Sequence, residues 1–218
     1  MSATAIELPL FPLNVVLFPG TVSPLHVFEM RYRQMIIDCQ REERPFGIVL
    51  ARPESEHFNE KPYPVGTIVD ISNLTRLDDG RYTFMAVGVK RFRIVSEHHD
   101  RPYLSGLVEP FKDVAEPEDE LLPLSQQAYS LFGAYLGMLL EASEGDNEVD
   151  ASLPEDPEDL SHFIAYFLDI QEEQKQHFLE LTSTRQRLQE EIAILRREVP
   201  FMRQIISRNV PENITRLN

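Results

Sequence analysis

The sequence predicts an α+β protein: a small, partly closed β-barrel with one covering helix, followed by a C-terminal helical bundle that contains a long helix. Three observations carry this expectation. Residues 6–111 break into short apolar runs bounded by Gly, Pro and Asp, the pattern of strands and corners. Residues 121–218 switch to apolar spacings of three and four, the pattern of helices. Between them the composition changes sharply: of a net charge of -15, the segment from Asp113 to Asp159 holds fourteen acidic residues and no Lys or Arg. The boundary is therefore placed there, with a barrel over 1–112 and a helical part over 113–218.

The chain opens with Leu8-Pro9-Leu10-Phe11-Pro12-Leu13 and reaches Phe18-Pro19-Gly20 seven residues after the first Phe-Pro pair. Each proline removes a backbone donor and biases its predecessor to extended geometry, so this reads as short strands broken by fixed bends. Alternation would send Leu8, Leu10, Leu13, Val15 and Leu17 toward a core. Met30 to Glu43 places Tyr32, Met35, Ile36 and Cys39 at helical spacing, which fits a helix covering one opening of the barrel. Phe46–Leu50 and Gly66–Ile71 follow as strands. Asp79-Gly80, between Leu74–Leu77 and Tyr82–Met85, predicts a hairpin with a two-residue turn. Gly88 interrupts the long run from Arg81 to Val95 and predicts a bulge or bend, and Tyr103 to Val108 closes the strand series.

Leu121–Leu140 has no charged residue, but Pro123, Ser125, Gln126, Gln127 and Ser130 dilute it and its flanks are acidic, so it reads as a buried helix and not a membrane span. Gly133 and Gly137 would let that helix pack closely on a neighbour. Asp156 caps the next helix, with Pro157 at its first position, Glu158 and Asp159 at the positive end of its dipole, and Leu160, Phe163, Ile164, Phe167 and Leu168 on one face. From Gln171 onward Phe178, Leu181, Leu188, Ile192, Leu195 and Val199 form a stripe with a gap at Arg185. This predicts one long helix that packs inside the chain or meets a second copy in a homodimer. Asp113–Glu120 and Glu144–Asp156 read as solvated, protease-sensitive linkers.

Several function classes lose support at once. A chain of 218 residues, 42% hydrophobic, can build a core without staples. Cys39 is the sole cysteine, which excludes an intrachain disulfide and fits a buried small hydrophobe. Met1–Ala5 has neither a basic nor an apolar leader region, so a cytoplasmic location is expected. The acidity opposes nucleic-acid binding. No G-x-x-x-x-G-K-[ST] or G-x-S-x-G occurs, so neither ATP hydrolysis nor serine chemistry is expected. His98-His99-Asp100 would point to opposite faces of a strand and His57 has no matching spacing, so no metal site and no cofactor are expected.

The opening, continuing to Phe28-Glu29-Met30-Arg31-Tyr32-Arg33, resembles the start of the Lon N-terminal substrate-binding domain. Phe46–Leu50, Val65–Ile71, Gly80–Tyr82, Gly88–Ile94 and Tyr103–Glu109 resemble that family's successive strands in order, and Lys175–Glu180 with Arg187-Leu188 resembles its long C-terminal helix. The resemblance implies a PUA-like pseudo-barrel followed by a helical bundle. It also implies a non-catalytic module that binds unfolded or tagged client proteins and serves a separate ATP-dependent protease, since the ATPase and Ser-Lys peptidase modules of a Lon protease have no counterpart in this sequence.

On that reading Leu10, Phe11, Pro12, Phe18 and Pro19 supply a rigid apolar edge with unpaired backbone, and Glu29, Arg31 and Arg33 supply rim charges. The competing assignment puts the opening leucines in the core. A second hypothesis is RNA binding through Lys90-Arg91-Phe92-Arg93, whose alternation would place Arg91 and Arg93 on a solvated outer face. A third is a small-molecule sensor like the cereblon family's barrel, whose aromatic cage uses tryptophans; this chain has none.

Overall fold

A computed structural model describes residues 4–53, 61–142 and 153–209. The chain forms two compact units, one of Met1–Val114 with Ala165–Thr182 and one of Ala115–Ile164 with Ser183–Asn218. The first therefore takes in a later stretch beyond the boundary placed after residue 112.

In the first unit, strands β1 (Ile6–Leu13), β2 (Val22–Val27), β3 (Phe46–Ala51), β4 (Pro62–Arg76), β5 (Tyr82–His98) and β6 (Ser105–Pro110) are joined in the order β2-β5-β4-β3-β1-β6, and β5 also pairs with β6. The ring β5-β4-β3-β1-β6 thus closes, and β2 remains an edge strand. The length of β5 permits this: Tyr82–Val87 pair with β2, while Phe92–His98 pair with β6. Between the two halves Val69 faces Gly88 and Ile68 faces Lys90, leaving Val89 as the extra residue of a bulge where the bend was expected. Gly88 there donates to the Thr21 carbonyl and accepts from the Gly20 N–H, both at 2.9 Å.

Strand β1 is buried on both faces. Leu8 and Leu10 pack inside the barrel with Val49, Ile68, Phe92 and Val108, while Phe11 faces the other way, among Tyr32, Met35, Phe46 and Phe84. Leu17 is buried as alternation required, Leu13 is half-buried, and Val15 is exposed. Helix α1 (Met30–Arg41) buries Tyr32, Met35, Ile36 and Cys39 as its spacing predicted. It also buries Asp38, whose carboxylate accepts bonds from Tyr103 Oη at 2.9 Å and Gln34 Nε2 at 2.9 Å. The β4–β5 hairpin departs from the two-residue turn. Leu77 donates to the Arg81 carbonyl and accepts from the Gly80 N–H, so Asp78-Asp79-Gly80 form the connection, with Gly80 at φ 81° supplying the left-handed step.

The expected long helix from Gln171 is two helices, α4 (Glu172–Glu180) and α5 (Thr184–Asn209). Leu181 is extended, and Ser183 starts α5: its Oγ accepts from the Gln186 N–H at 3.0 Å. Ser183-Thr184-Arg185-Gln186 has the spacing of a capping box, which coincides with the gap in the apolar stripe. Helix α4 packs on the barrel. Gln176 Nε2 donates to the Val65 carbonyl at 3.1 Å, and Arg91 Nη1 donates to the Leu179 carbonyl at 2.9 Å. Arg91 also binds the Asp113 carboxylate and lies over the Phe111 ring. It is therefore a buried tether, and the solvated arginine face expected around it does not exist.

In the second unit α2 (Glu118–Ala142) runs along α5, and Phe132 meets Phe163 of α3 (Pro157–Phe167) edge-on at 6.0 Å. The α5 stripe of Leu188, Ile192, Leu195 and Val199 is buried within the chain. Gly133 and Gly137 are not packing contacts: both are exposed, with open space where a Cβ would stand. Asp156 accepts from the Glu158 and Asp159 N–H groups at 2.9 and 3.0 Å, the cap its sequence predicted. The first acidic tract is no loose linker. Glu116 accepts from Ser183 Oγ at 2.7 Å and the Arg185 N–H at 2.9 Å, and Glu120 pairs with Arg185 at 2.7 Å. Residues 144–152 of the second tract lie outside the described residues. Among the described residues no helix is long and apolar enough to cross a membrane.

Candidate functional site

The segment joining β1 to β2 is held in one shape by its own chemistry. Phe18-Pro19-Gly20-Thr21 is a turn in which Pro19 presets φ and Gly20 takes φ 73°, closed by the Thr21 N–H on the Phe18 carbonyl at 3.2 Å. Thr21 Oγ1 binds the same carbonyl at 2.7 Å, and Thr67 Oγ1 donates to the Leu17 carbonyl at 2.6 Å. One residue earlier, the Val16 N–H donates to the Glu172 carboxylate of α4 at 2.7 Å. These bonds drive Val16, Leu17 and Phe18 inward and leave Val15 outside.

Between this segment, edge strand β2 and the stretch entering α4 lies a cleft of about 290 Å³. Val15 and Leu17 form one wall, Leu25 of β2 a second, and Tyr166 with Phe167 a third. Val15 and Phe167 stand at the mouth, 43% and 42% exposed. The two aromatic rings meet edge-to-face at 5.0 Å, and Tyr166 Oη donates to the Val22 carbonyl at 3.2 Å. The charged residues of the cleft are spent internally: Lys175 Nζ donates to the Tyr166 carbonyl at 3.1 Å and lies 3.5 Å from Glu172. What remains is an apolar hollow beside a strand edge, a shape that can seat apolar side chains of an extended chain.

The residues expected to bind peptide fall elsewhere. Leu10, Phe11 and Phe18 are 0%, 5% and 0% exposed, and Pro12 is buried, so they brace the core and offer no contact surface. The reason is that the barrel interior covers one face of β1 and α1 covers the other. Phe11 stacks on Tyr32 with centroids 4.3 Å apart, joining β1 to α1. Pro19 is half-buried in its turn. Glu29 and Arg31 pair at 2.9 Å beside α1, with Arg31 over the Tyr32 ring at 4.5 Å. Arg33 reaches the β4–β5 turn at Gly80. None of the eight lines the cleft. Val15 was read as a core residue, and Phe167 as part of a buried helix face. Nothing in the sequence signalled that they meet, because that depends on residues 165–182 returning to the barrel.

The other sequence motifs resolve into pairs and tethers. His98 lies 3.8 Å from Glu7 and His99 3.7 Å from Glu97, each an exposed polar contact, and His57 lies outside the described residues. Arg93 stacks over the Phe111 ring at 4.1 Å, the same ring that the buried Arg91 lies over at 4.6 Å.

A closed small barrel, a helical unit and an apolar cleft beside edge strand β2 together define an α+β module. The chain belongs to the family of the ATP-dependent protease La (LON) substrate-binding domain, whose family model matches residues 7–197. It is 29% identical over 198 residues to the Lon protease of Anaeromyxobacter dehalogenans, covering 88% of this chain and 23% of that one. Lon protease 2 of Myxococcus xanthus is also 29% identical, at 88% and 24% coverage. The chain thus spans about a quarter of the length of these relatives. Among solved structures, a Lon N-terminal domain protein from Xanthomonas campestris matches with a TM-score of 0.63 and 28% identity, over 86% of this chain and 98% of that one. The N-terminal domain of a Mycobacterium avium complex Lon protease matches with a TM-score of 0.65 at 19% identity, over 87% and 98%, a likeness of fold.

Proposed function

We propose that this chain is a non-catalytic module that binds extended apolar segments of client polypeptides in the cleft of Val15, Leu25, Tyr166 and Phe167, and that it serves proteolysis or protein quality control by holding clients or passing them to a separate ATP-dependent protease. The observation that carries the reading is the cleft itself: apolar walls, internally paired charges and an adjoining edge strand, in a chain of the substrate-binding family. Apolar walls favour desolvated side chains, and an unpaired strand edge favours extended backbone. The relatives' names place that family in proteolysis.

The test is fluorescence anisotropy with dye-labelled unfolded casein and a labelled extended peptide rich in Leu and Val, beside thermal melts. Val15→Glu and Phe167→Glu should melt close to the parent and weaken binding by about tenfold or more, because a charge in a desolvated contact is tolerated poorly. Phe18→Glu should instead unfold the barrel, since its side chain is fully buried. Parent-like binding by both cleft variants removes the cleft from the proposal.

A further inference from the structure

We propose that Glu191 is carried inside the helical unit as a neutral acid, and that its ionisation destabilises the packing of α5, making this unit lose stability as pH rises. Glu191 lies on the buried face of α5, one turn after Arg187 and one turn before Leu195, and is 0% exposed. Among the described residues neither carboxyl oxygen has a hydrogen-bond partner. A carboxylate taken out of water without donors is far costlier than a carboxylic acid in the same place.

The surrounding charges do not reverse that preference. Arg187 attracts a charge on Glu191 and Glu190 repels it, both from α5 itself. Arg187 is already committed, its Nε donating to Ser161 Oγ of α3 at 2.8 Å. On the elements packed against α5, the buried face of α2 presents Tyr135 as its ionisable group and that of α3 presents His162, with Glu158 half-buried nearby in sequence. Burial is the largest influence and holds the Glu191 carboxyl well above the usual range. The sign follows from linkage. A carboxyl raised on folding binds its proton more tightly in the native state, so its contribution is complete below the unfolded value and is lost as pH rises toward the folded one.

The experiment follows full-chain thermal and denaturant unfolding by circular dichroism from about pH 5 to about pH 9 for the parent and Glu191→Gln, with a carboxyl carbon NMR titration of the parent. The parent's unfolding constant should rise by up to about tenfold per pH unit over the window in which the unfolded carboxyl is ionised and the native one is not. Glu191→Gln, which keeps the neutral shape, should lack that rise and be the more stable protein at alkaline pH. The Glu191 carboxyl resonance should titrate above the ordinary carboxyl range. Coincident pH profiles overturn the proposal, as does a carboxyl that titrates at or below the ordinary range. A pH dependence that is retained in full in Glu191→Gln belongs to another group and also overturns it. If Glu191→Gln does not fold, the parent's NMR titration decides alone.

Discussion

Arg91 concentrates in one side chain what the sequence left dispersed. It binds Asp113, the C-terminal carbonyls of α4 and the Phe111 ring, and both members of its ion pair are almost wholly out of solvent. Removing one partner of such a pair leaves the other charge buried, so Arg91→Ala should cost about 3–5 kcal/mol in urea unfolding. A loss under about 1 kcal/mol is the value for an exposed pair and would contradict the tether. Alternation along Lys90-Arg91-Phe92-Arg93 could not show this, because the rule distinguishes two faces of a strand without saying which elements cover them. Here Phe92 fills the barrel and Arg91 meets α4, so successive residues are both buried. The Phe-Pro opening was legible as a shaped segment for the same local reasons that Pro19 and Gly20 set the turn. Its burial was not legible, since the pairing of β1 with both β3 and β6 comes from distant residues.

At the scale of elements, strands, α1, α3 and its cap, and the bulge at Gly88 could be read because each rests on residues within a few positions of one another. The α4–α5 break was also written locally, in Ser183 and Gln186, but the apolar stripe on either side is continuous enough to mask it. Ser183→Ala should therefore destabilise the protein by about 1 kcal/mol, measured by urea unfolding, with the loss arising at the start of α5. Acidic residues at the start of α2 supply the partner side of that junction, Glu116 just ahead of the helix and Glu120 in its first turn. Brief trypsin-independent digestion with an acid-specific protease should accordingly spare Glu116–Glu120 in the parent. Cleavage there in the native protein, at the rate of an unstructured peptide, would show the tract to be the loose linker its composition describes.

At the scale of the molecule the course of the chain matters more than the tally of strands and helices. The barrel unit is left after Val114, rejoined from Ala165 to Thr182, and left again. A fragment of residues 1–112 lacks Asp113, Tyr166, Phe167 and α4, and so lacks both the partners of Arg91 and one wall of the cleft. It should be poorly soluble or molten by near-ultraviolet circular dichroism, whereas residues 1–209 should give a cooperative melt; a well-folded 1–112 fragment would contradict the role given to α4. The same itinerary bears on synthesis. Domains generally mature in the order in which they leave the ribosome. Here Arg91 emerges awaiting the carbonyls of Leu179 and Leu181, 88 and 90 positions further along the chain, so maturation of the barrel strands is tied to residues translated well after them.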